Sequence, residues 1–449
     1  MKYFSTNGKA PEVSFREALL KGLAPDGGLY LPERIPTINS IDLAKLHEMD
    51  YRTVATDILS RFIGDEVSTS DIERLCNDAY NFDVPLEKAG ENKYILRLDQ
   101  GPTASFKDFA ARMMSRLMQH FIAKDNRKLT ILTATSGDTG SAVASAFYGL
   151  QNINVIILYP KNEVSEMQRK QMTTLQKNIT VIAVEGKFDD CQDMVKKAFR
   201  DPALAHLPLS SANSINIGRL LPQSVYYLYA WSRISGENRK VIFSVPSGNF
   251  GNLTAGLLAY RMGMPAEKFI ISTNSNDEVP LFLSTGKYKP ISPSRNCISS
   301  AMNVGHPSNF ARMIALYGGT MNENGVILKE PDRNKMGWDF YGVSVSDEET
   351  KRAILHAYKE NGIILEPHGA VAWKGIMEYI SHEGDKNNTF ISLETAHPAK
   401  FPEELNNVLK FTPSLPLSLS SVLSKPEKFE IINNNYSLLK DIILQNSRS

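Results

Sequence analysis

Cysteine is almost missing from this chain. Its 449 residues hold only Cys76, Cys191 and Cys297, with no Cys-x-x-Cys pair. That excludes a disulfide framework and a thiolate metal site, and it suits a reducing, cytoplasmic compartment. Charge imbalance is missing as well. Fifty basic against forty-nine acidic residues leave a net +1, so no bulk field calls for nucleic acid or an anionic membrane. No apolar run approaches the ~18–20 residues of a membrane span, and the N-terminal MKYFSTNGKAPEVSF carries no apolar core of a secretion signal and no arginine-rich amphipathic pattern. The eight histidines form no His-x-x-x-His pair, so a helical zinc site is unsupported and no metal is expected. Gly-x-Ser-x-Gly, the Walker pattern and Gly-x-Gly-x-x-Gly do not fit, which leaves a serine hydrolase, an NTPase and an NAD enzyme without support. No internal repeat and no low-complexity segment is visible.

What is present is an ordinary globular composition, 42% hydrophobic and 22% charged, in a chain long enough for two or three domains. Residues 1–90 read as a separate, mainly helical N-terminal unit, with helices over Phe15–Leu23, Leu43–Phe62 and Thr69–Phe82, the last capped by Ser70 or Asp71. From Tyr94 on, short β-branched runs at Leu129–Ala134, Val155–Tyr159, Thr180–Val184, Val241–Val245, Phe269–Thr273 and Thr389–Leu393 alternate with helical stretches. Near-continuous apolar strands separated by helices predict a buried parallel sheet and an α/β class. Two such domains are expected, a large one from 91–110 and 231–449 and a smaller, mobile one from 111–230. The segment 275–345 is rich in Asn, Ser, Pro and Gly and is expected as loops over a site. Lys351–Glu360 reads as a helix ended by Asn361-Gly362. The tail after Ser418 is polar and weakly patterned.

Chemistry is expected at strand-to-helix joints, because ligands bind at the C-terminal ends of parallel strands. Lys107 falls in the first turn of a helix, where the dipole disfavours positive charge and favours the neutral amine that a Schiff base needs. The alternative is a surface lysine paired with Asp108. Thr135-Ser136-Gly137-Asp138-Thr139-Gly140 offers hydroxyls and N–H groups for an anion, or a plain cap made by Ser136 or Thr139. Asp138 is awkward beside an anion. Pro246-Ser247-Gly248-Asn249-Phe250-Gly251-Asn252 reads as an oxyanion loop or as a tight turn. Thr395 ends a buried strand with a hydroxyl at the same sheet edge. His306, His368 and His397 sit in turns and read as satisfied loop residues.

Six motifs span almost the whole chain in one order: SFREALLKGLAPDGGLYLPE at 14–33, ASFKDFAARMM at 104–114, TSGDTGSA at 135–142, NSINIGRLLPQ at 213–223, VPSGNFGN at 245–252 and LETAHPAKF at 393–401. Together they resemble threonine synthases, pyridoxal 5'-phosphate enzymes of fold type II (tryptophan synthase β-like), in the form with an extra N-terminal domain. The resemblance implies conversion of O-phospho-L-homoserine and water to L-threonine and phosphate, by γ-elimination and β-addition of water. It implies Lys107 as the cofactor lysine, Gly248, Asn249, Phe250, Gly251 and Asn252 as the cofactor phosphate loop, and Thr395 as the hydroxyl at the pyridine nitrogen, keeping that nitrogen unprotonated. Asp138 falls where such enzymes often have an Asn facing the cofactor 3'-oxygen; either a shared proton or another partner, Asn216, serves there. Ser136 and Thr139 match the substrate-carboxylate loop, and Asn216 and Arg219 are carried as substrate-binding, with Lys161 and Arg169 as further candidates for the substrate phosphate. No obligate protein partner is evident. The rivals are a phospho-amino-acid lyase releasing 2-oxobutyrate, ammonia and phosphate, and a non-catalytic cofactor-binding regulator, for which an intact Lys107 has no use.

Overall fold

The computed structural model describes residues 1–125, 127–234, 240–384 and 387–448. Two sheets organise them. The larger runs in the order Phe340–Ser344, Ala266–Thr273, Lys240–Pro246, Asn388–Glu394, Lys93–Arg97 and Leu86–Lys88. Its first five strands are parallel, and the last pairs antiparallel as an edge. The smaller has the order Glu430–Asn433, Ile179–Glu185, Ile153–Pro160, Leu129–Ala134 and Leu209–Ser210, all parallel. Every residue of Leu129–Ala134 and Asn388–Glu394 is buried, as expected of strands covered on both faces. A third, antiparallel sheet of Lys2–Ser5, Val13–Ser14 and Tyr30–Pro32 belongs to the N-terminal unit. Helices Lys107–Asp125, Ile217–Ile234 and Gly251–Arg261 are largely buried, with Phe109, Tyr226, Tyr227 and Leu253 in one continuous core.

The six sequence-predicted strands all form, each within one to three residues of its expected ends. Several expectations are corrected. The stretch Leu43–Phe62 is broken at Met49-Asp50 into Ser40–Lys45, a short turn of 3-10 helix and Tyr51–Ile63, because Asp50 caps the second helix through the Thr53 N–H. The Thr69–Ala79 helix is capped by Ser68, two positions before Ser70 and three before Asp71, the expected caps. The 275–345 segment holds short helices, a hairpin and the edge strand Phe340–Ser344 as well as loops.

The largest correction concerns the tail. The sequence reading places it with the larger domain, yet Glu430–Asn433 pairs with Ile179–Glu185 as the edge of the smaller sheet. The following helix packs Leu439 and Ile443 with Ile182, Val184 and Met194. An edge strand buries little, and here only Ile432 is buried, so its pattern carries almost no signal. Among the described residues no helix is long and apolar enough to cross a membrane.

Candidate active site

Three strand ends bring the site together. Leaving Lys93–Arg97, the chain is stitched to the end of Asn388–Glu394: Leu98 N–H donates to the Glu394 carbonyl at 3.0 Å, Phe106 N–H to the Thr395 carbonyl at 2.9 Å, and His397 N–H to the Ala104 carbonyl at 3.0 Å. Ala104 takes the left-handed conformation, φ 54°, which turns the chain sharply into the helix that begins at Lys107. Thr395 and Lys107 are therefore neighbours by construction. The partnership of Lys107 with Asp108 does not form. Asp108 is buried and accepts from the Thr103 N–H at 2.8 Å and the Thr103 hydroxyl at 2.7 Å.

Lys107 instead faces Asp138, Nζ to Oδ2 3.6 Å, with its side chain 13% exposed. The same carboxylate takes the buried ammonium of Lys400 at 2.7 Å and the Gln168 amide at 2.9 Å, both on Oδ1. Burial pushes Asp138 up, but the two ammonium groups and the hydrogen bonds from Lys400 and Gln168 together hold it far below the usual carboxylate range. Burial, Lys400 and Arg219 push the Lys107 amine down, with Asp138 pulling the other way. Asp138 thus belongs to the cations of the site, which resolves its awkwardness beside an anion.

The helix Asp138–Phe147 is served from within. Thr135 Oγ1 accepts from the Gly137 and Gly140 N–H groups at 2.9 and 2.8 Å, so Thr135, not Ser136 or Thr139, acts as the cap. Those two side chains stay half-buried and free of protein hydrogen bonds among the described residues. The segment 213–216 ties this end to the third loop. The Asn213 amide donates to the Ala134 carbonyl at 2.7 Å, and Ser214 Oγ accepts from Asn249.

In that third loop Phe250 sits at φ 62°, and the helix Gly251–Arg261 starts with no side-chain cap. A Cβ on Gly248 would lie 2.8 Å from Met302 Cα and 2.9 Å from the Ala301 carbonyl oxygen, so the loop is packed to its backbone. Both ends of the Asn249 amide are committed, to Ser214 and to the Ser308 N–H, the latter at 2.6 Å. Asn252 Oδ1 accepts from Tyr226 and Tyr227 at 2.6 and 2.7 Å, while its buried Nδ2 has no protein partner. An uncapped helix N-terminus, glycine backbone and an unpartnered buried amide N–H fit a phosphate group. Together with a half-buried amine, the donor set fits pyridoxal phosphate.

Four sequence-predicted residues are placed otherwise or only partly. Asn216 is spent on backbone, donating to Leu19 and Ser211 carbonyls and accepting from Gly218 N–H, each at 2.9 Å. With both amide hydrogens given to backbone carbonyls, it has none left to offer a cofactor 3'-oxygen. Arg219 is buried, anchored by Nη1 on the Ala212 carbonyl at 2.6 Å, and its Nε has no protein partner; burial lowers it to about 10. Lys161 and Arg169 are paired with Glu185 and Glu427.

The residues sequence reasoning missed are Lys400, Gln168 and Glu366. Lys400 lies inside a quoted motif. Glu366 carried a signal, an acid directly before Pro367 at a helix start. Gln168 carried none. Glu366 caps the buried helix Pro367–Glu383, its carboxylate accepting from His368 N–H at 2.7 Å and Gly369 N–H at 3.0 Å, with the Thr395 hydroxyl 3.2 Å away. Among the described residues no group of three His, Cys, Asp or Glu converges as a metal site.

Comparison with known proteins finds likeness along almost the whole chain. The family model for the threonine synthase N terminus matches residues 2–80, that for pyridoxal-phosphate dependent enzymes 81–392, and that for the threonine synthase C-terminal region 369–443. A threonine synthase of Buchnera aphidicola (from Acyrthosiphon pisum) is 42% identical over 449 residues, covering 99% of this chain and all of the relative. The crystal structure of threonine synthase from Escherichia coli superposes with a TM-score of 0.89 at 38% identity, over 99% of this chain and 100% of that one. The pyridoxal-phosphate-bound threonine synthase from Brucella melitensis gives 0.92 at 35%, over 100% of both. The chain belongs to the threonine synthase family, pyridoxal-phosphate enzymes of fold type II with an N-terminal domain of their own.

Proposed function

We propose that the enzyme converts O-phospho-L-homoserine and water to L-threonine and phosphate in the cytoplasm, with Lys107 as the amine that carries the cofactor and moves protons. The observation that supports this assignment is the half-buried Lys107 amine set against Asp138, beside Thr395 and between two helix starts. Pyridoxal phosphate, held by Lys107 and the 248–252 loop, supplies an electron sink for charge developing at the substrate α-carbon.

The rest is the chain's own work. Burial and the charges of Lys400 and Arg219 favour the neutral form of Lys107, the form that attacks a carbonyl and accepts a proton. Asp138 keeps that amine oriented while staying ionised, so it steers Lys107 without taking its proton. Ser136 and Thr139, left without protein partners beside a helix N-terminus, receive the substrate carboxylate. Arg219, with a buried unpartnered Nε, serves the substrate phosphate. Thr395, joined through its carbonyl to the residue before Lys107, presents its hydroxyl to the cofactor's ring nitrogen.

Product analysis in oxygen-18 water tests the reading. Label at Cβ of threonine, with phosphate released in equal amount, is expected. Stoichiometric 2-oxobutyrate and ammonia with trace threonine would move the chain to the lyase reading.

A further inference from the structure

Arg312 carries a charge that nothing around it balances. It lies in the short helix Phe310–Leu316 and is fully buried, yet its guanidinium donates only to neutral oxygens. Nε meets the Tyr30 carbonyl at 3.0 Å and Nη2 the Ile215 carbonyl at 2.6 Å. Nη1 meets the Ser214 carbonyl at 3.2 Å and Asn309 Oδ1 at 2.6 Å. Burial pulls it down to about 9, and among the described residues no acid lifts it again. Arg97, also largely buried, has Glu87, Glu394 and Asp99 at 2.7, 3.7 and 4.0 Å. An unpaired buried cation is costly.

The partners of Arg312 form one wall of the 248–252 loop. A Cβ on Gly251 would lie 3.4 Å from Asn309 Nδ2 and 3.5 Å from Ser214 Cβ. Ser214 Oγ takes the Asn249 amide, the Asn309 amide donates to the Ser214 carbonyl at 3.3 Å, and Asn249 Oδ1 takes the Ser308 N–H. The guanidinium therefore stands one residue behind the uncapped start of Gly251–Arg261. That start lacks charge of its own. Pro246–Asn252 holds no lysine or arginine, and a helix N-terminus supplies only about half a positive charge. A phosphate monoester brings about two negative charges near neutral pH.

We propose that Arg312 is the buried counter-charge of the cofactor phosphate, acting from behind the 248–252 loop. The proposal rests on the reading of that loop as the phosphate site. Arg312 does not touch the ligand and is a positioning residue. Its four hydrogen bonds fix Ser214 and Asn309 against Gly251, and its charge reaches the phosphate through an interior that screens far less than water. The two deficits cancel: the guanidinium lacks an anion, and the loop lacks a cation. The Tyr30 carbonyl on the same guanidinium ties the N-terminal sheet to this point.

The test compares binding of pyridoxal phosphate and of pyridoxal, which lacks only the phosphate, to the cofactor-free full chain. Arg312→Met is expected to weaken pyridoxal phosphate roughly 10–100-fold, as loss of an outer partner does at metal sites, and to leave pyridoxal unchanged. Arg312→Lys, which keeps the charge and loses the fork, is expected to recover part of that loss. Equal weakening of both ligands, or of neither, would show a packing role alone and overturn the proposal. If Arg312→Met does not fold, Asn309→Asp decides, because it gives the guanidinium an anion in place. It is expected to raise the melting temperature of the cofactor-free chain and to cut the preference for pyridoxal phosphate. A lost preference without that rise is plain repulsion, and a rise with the preference intact shows no link to phosphate; either overturns the proposal. A wild type that binds both ligands equally overturns the phosphate-loop reading as well.

Discussion

Two helix starts in this molecule look alike in sequence and are opposite in use. Thr135–Gly140 and Pro246–Asn252 each lie at the end of a parallel strand buried over all or nearly all of its length and are rich in glycine and small polar residues. At the first, Thr135 satisfies two N–H groups and Asp138 supplies the negative charge, itself bound by Lys400, Gln168 and Lys107. At the second, no side chain caps the helix and no carboxylate enters. A helix N-terminus is an anion site only when the chain leaves it unfilled. At the first, Thr135 takes the helix's own N–H groups and Asp138 organises cations, which leaves the Ser136 and Thr139 hydroxyls for an anion; the second stays open to a phosphate.

The largest expected effect falls where the two meet. Lys107→Ala should fold and lose turnover by more than the roughly 10²–10⁴-fold of a lost acid–base group, because the covalent anchor goes too. Borohydride reduction followed by peptide mass spectrometry checks it: cofactor fixed to a different lysine in the wild type would refute the assignment.

Next, Asp138→Asn should empty the first site of its charge. It leaves the ammonium of Lys400, whose side chain is fully buried, without a counter-ion, at a cost of about 3–5 kcal/mol by denaturant unfolding. Asp138 raises the Lys107 pKa, so its removal should shift the titration of the free Lys107 amine, followed in the cofactor-free chain by the pH dependence of its acylation rate, to lower pH. The stability sign follows from the depressed carboxyl. In the wild type its contribution is full above the unfolded value of about 4 and fades as pH falls toward the native one. The variant's deficit should therefore shrink in acid; a deficit constant from pH 7 to pH 3 would show that Asp138 is not ionised.

Gly248→Ala strikes the second site. Its Cβ would press on backbone at 2.8 and 2.9 Å, so about 1–3 kcal/mol of stability should go, with weaker cofactor retention on dialysis. Unchanged retention in a folded variant would favour a plain turn. Smallest, Thr135→Val removes the internal cap and should cost about 1 kcal/mol. If the first helix start then takes up phosphate, seen by phosphorus-31 line broadening, the difference between the sites is the cap itself.

How much of this was legible varies with the kind of signal. The strand Leu129–Ala134 is legible to the residue because burial on both faces fills it with apolar and β-branched side chains. The edge strand Glu430–Asn433, with one buried residue, was invisible. Lys107 was legible as a charge at the wrong end of a helix. Its partner was not, since Asp108 is adjacent in sequence while Asp138 is reached through the fold.

The sequence by itself determined the α/β class, the strand positions, the motif order and the place of Lys107 in the first turn of its helix. These depend on periodicity and turn chemistry, which act over a few residues. Only the tertiary structure decided that Asp138 faces two lysines, that Asn216 is spent on backbone, and that Glu366 meets Thr395. Those outcomes depend on which buried donors and acceptors meet. A buried polar group takes the partner within about 3 Å, however distant along the chain.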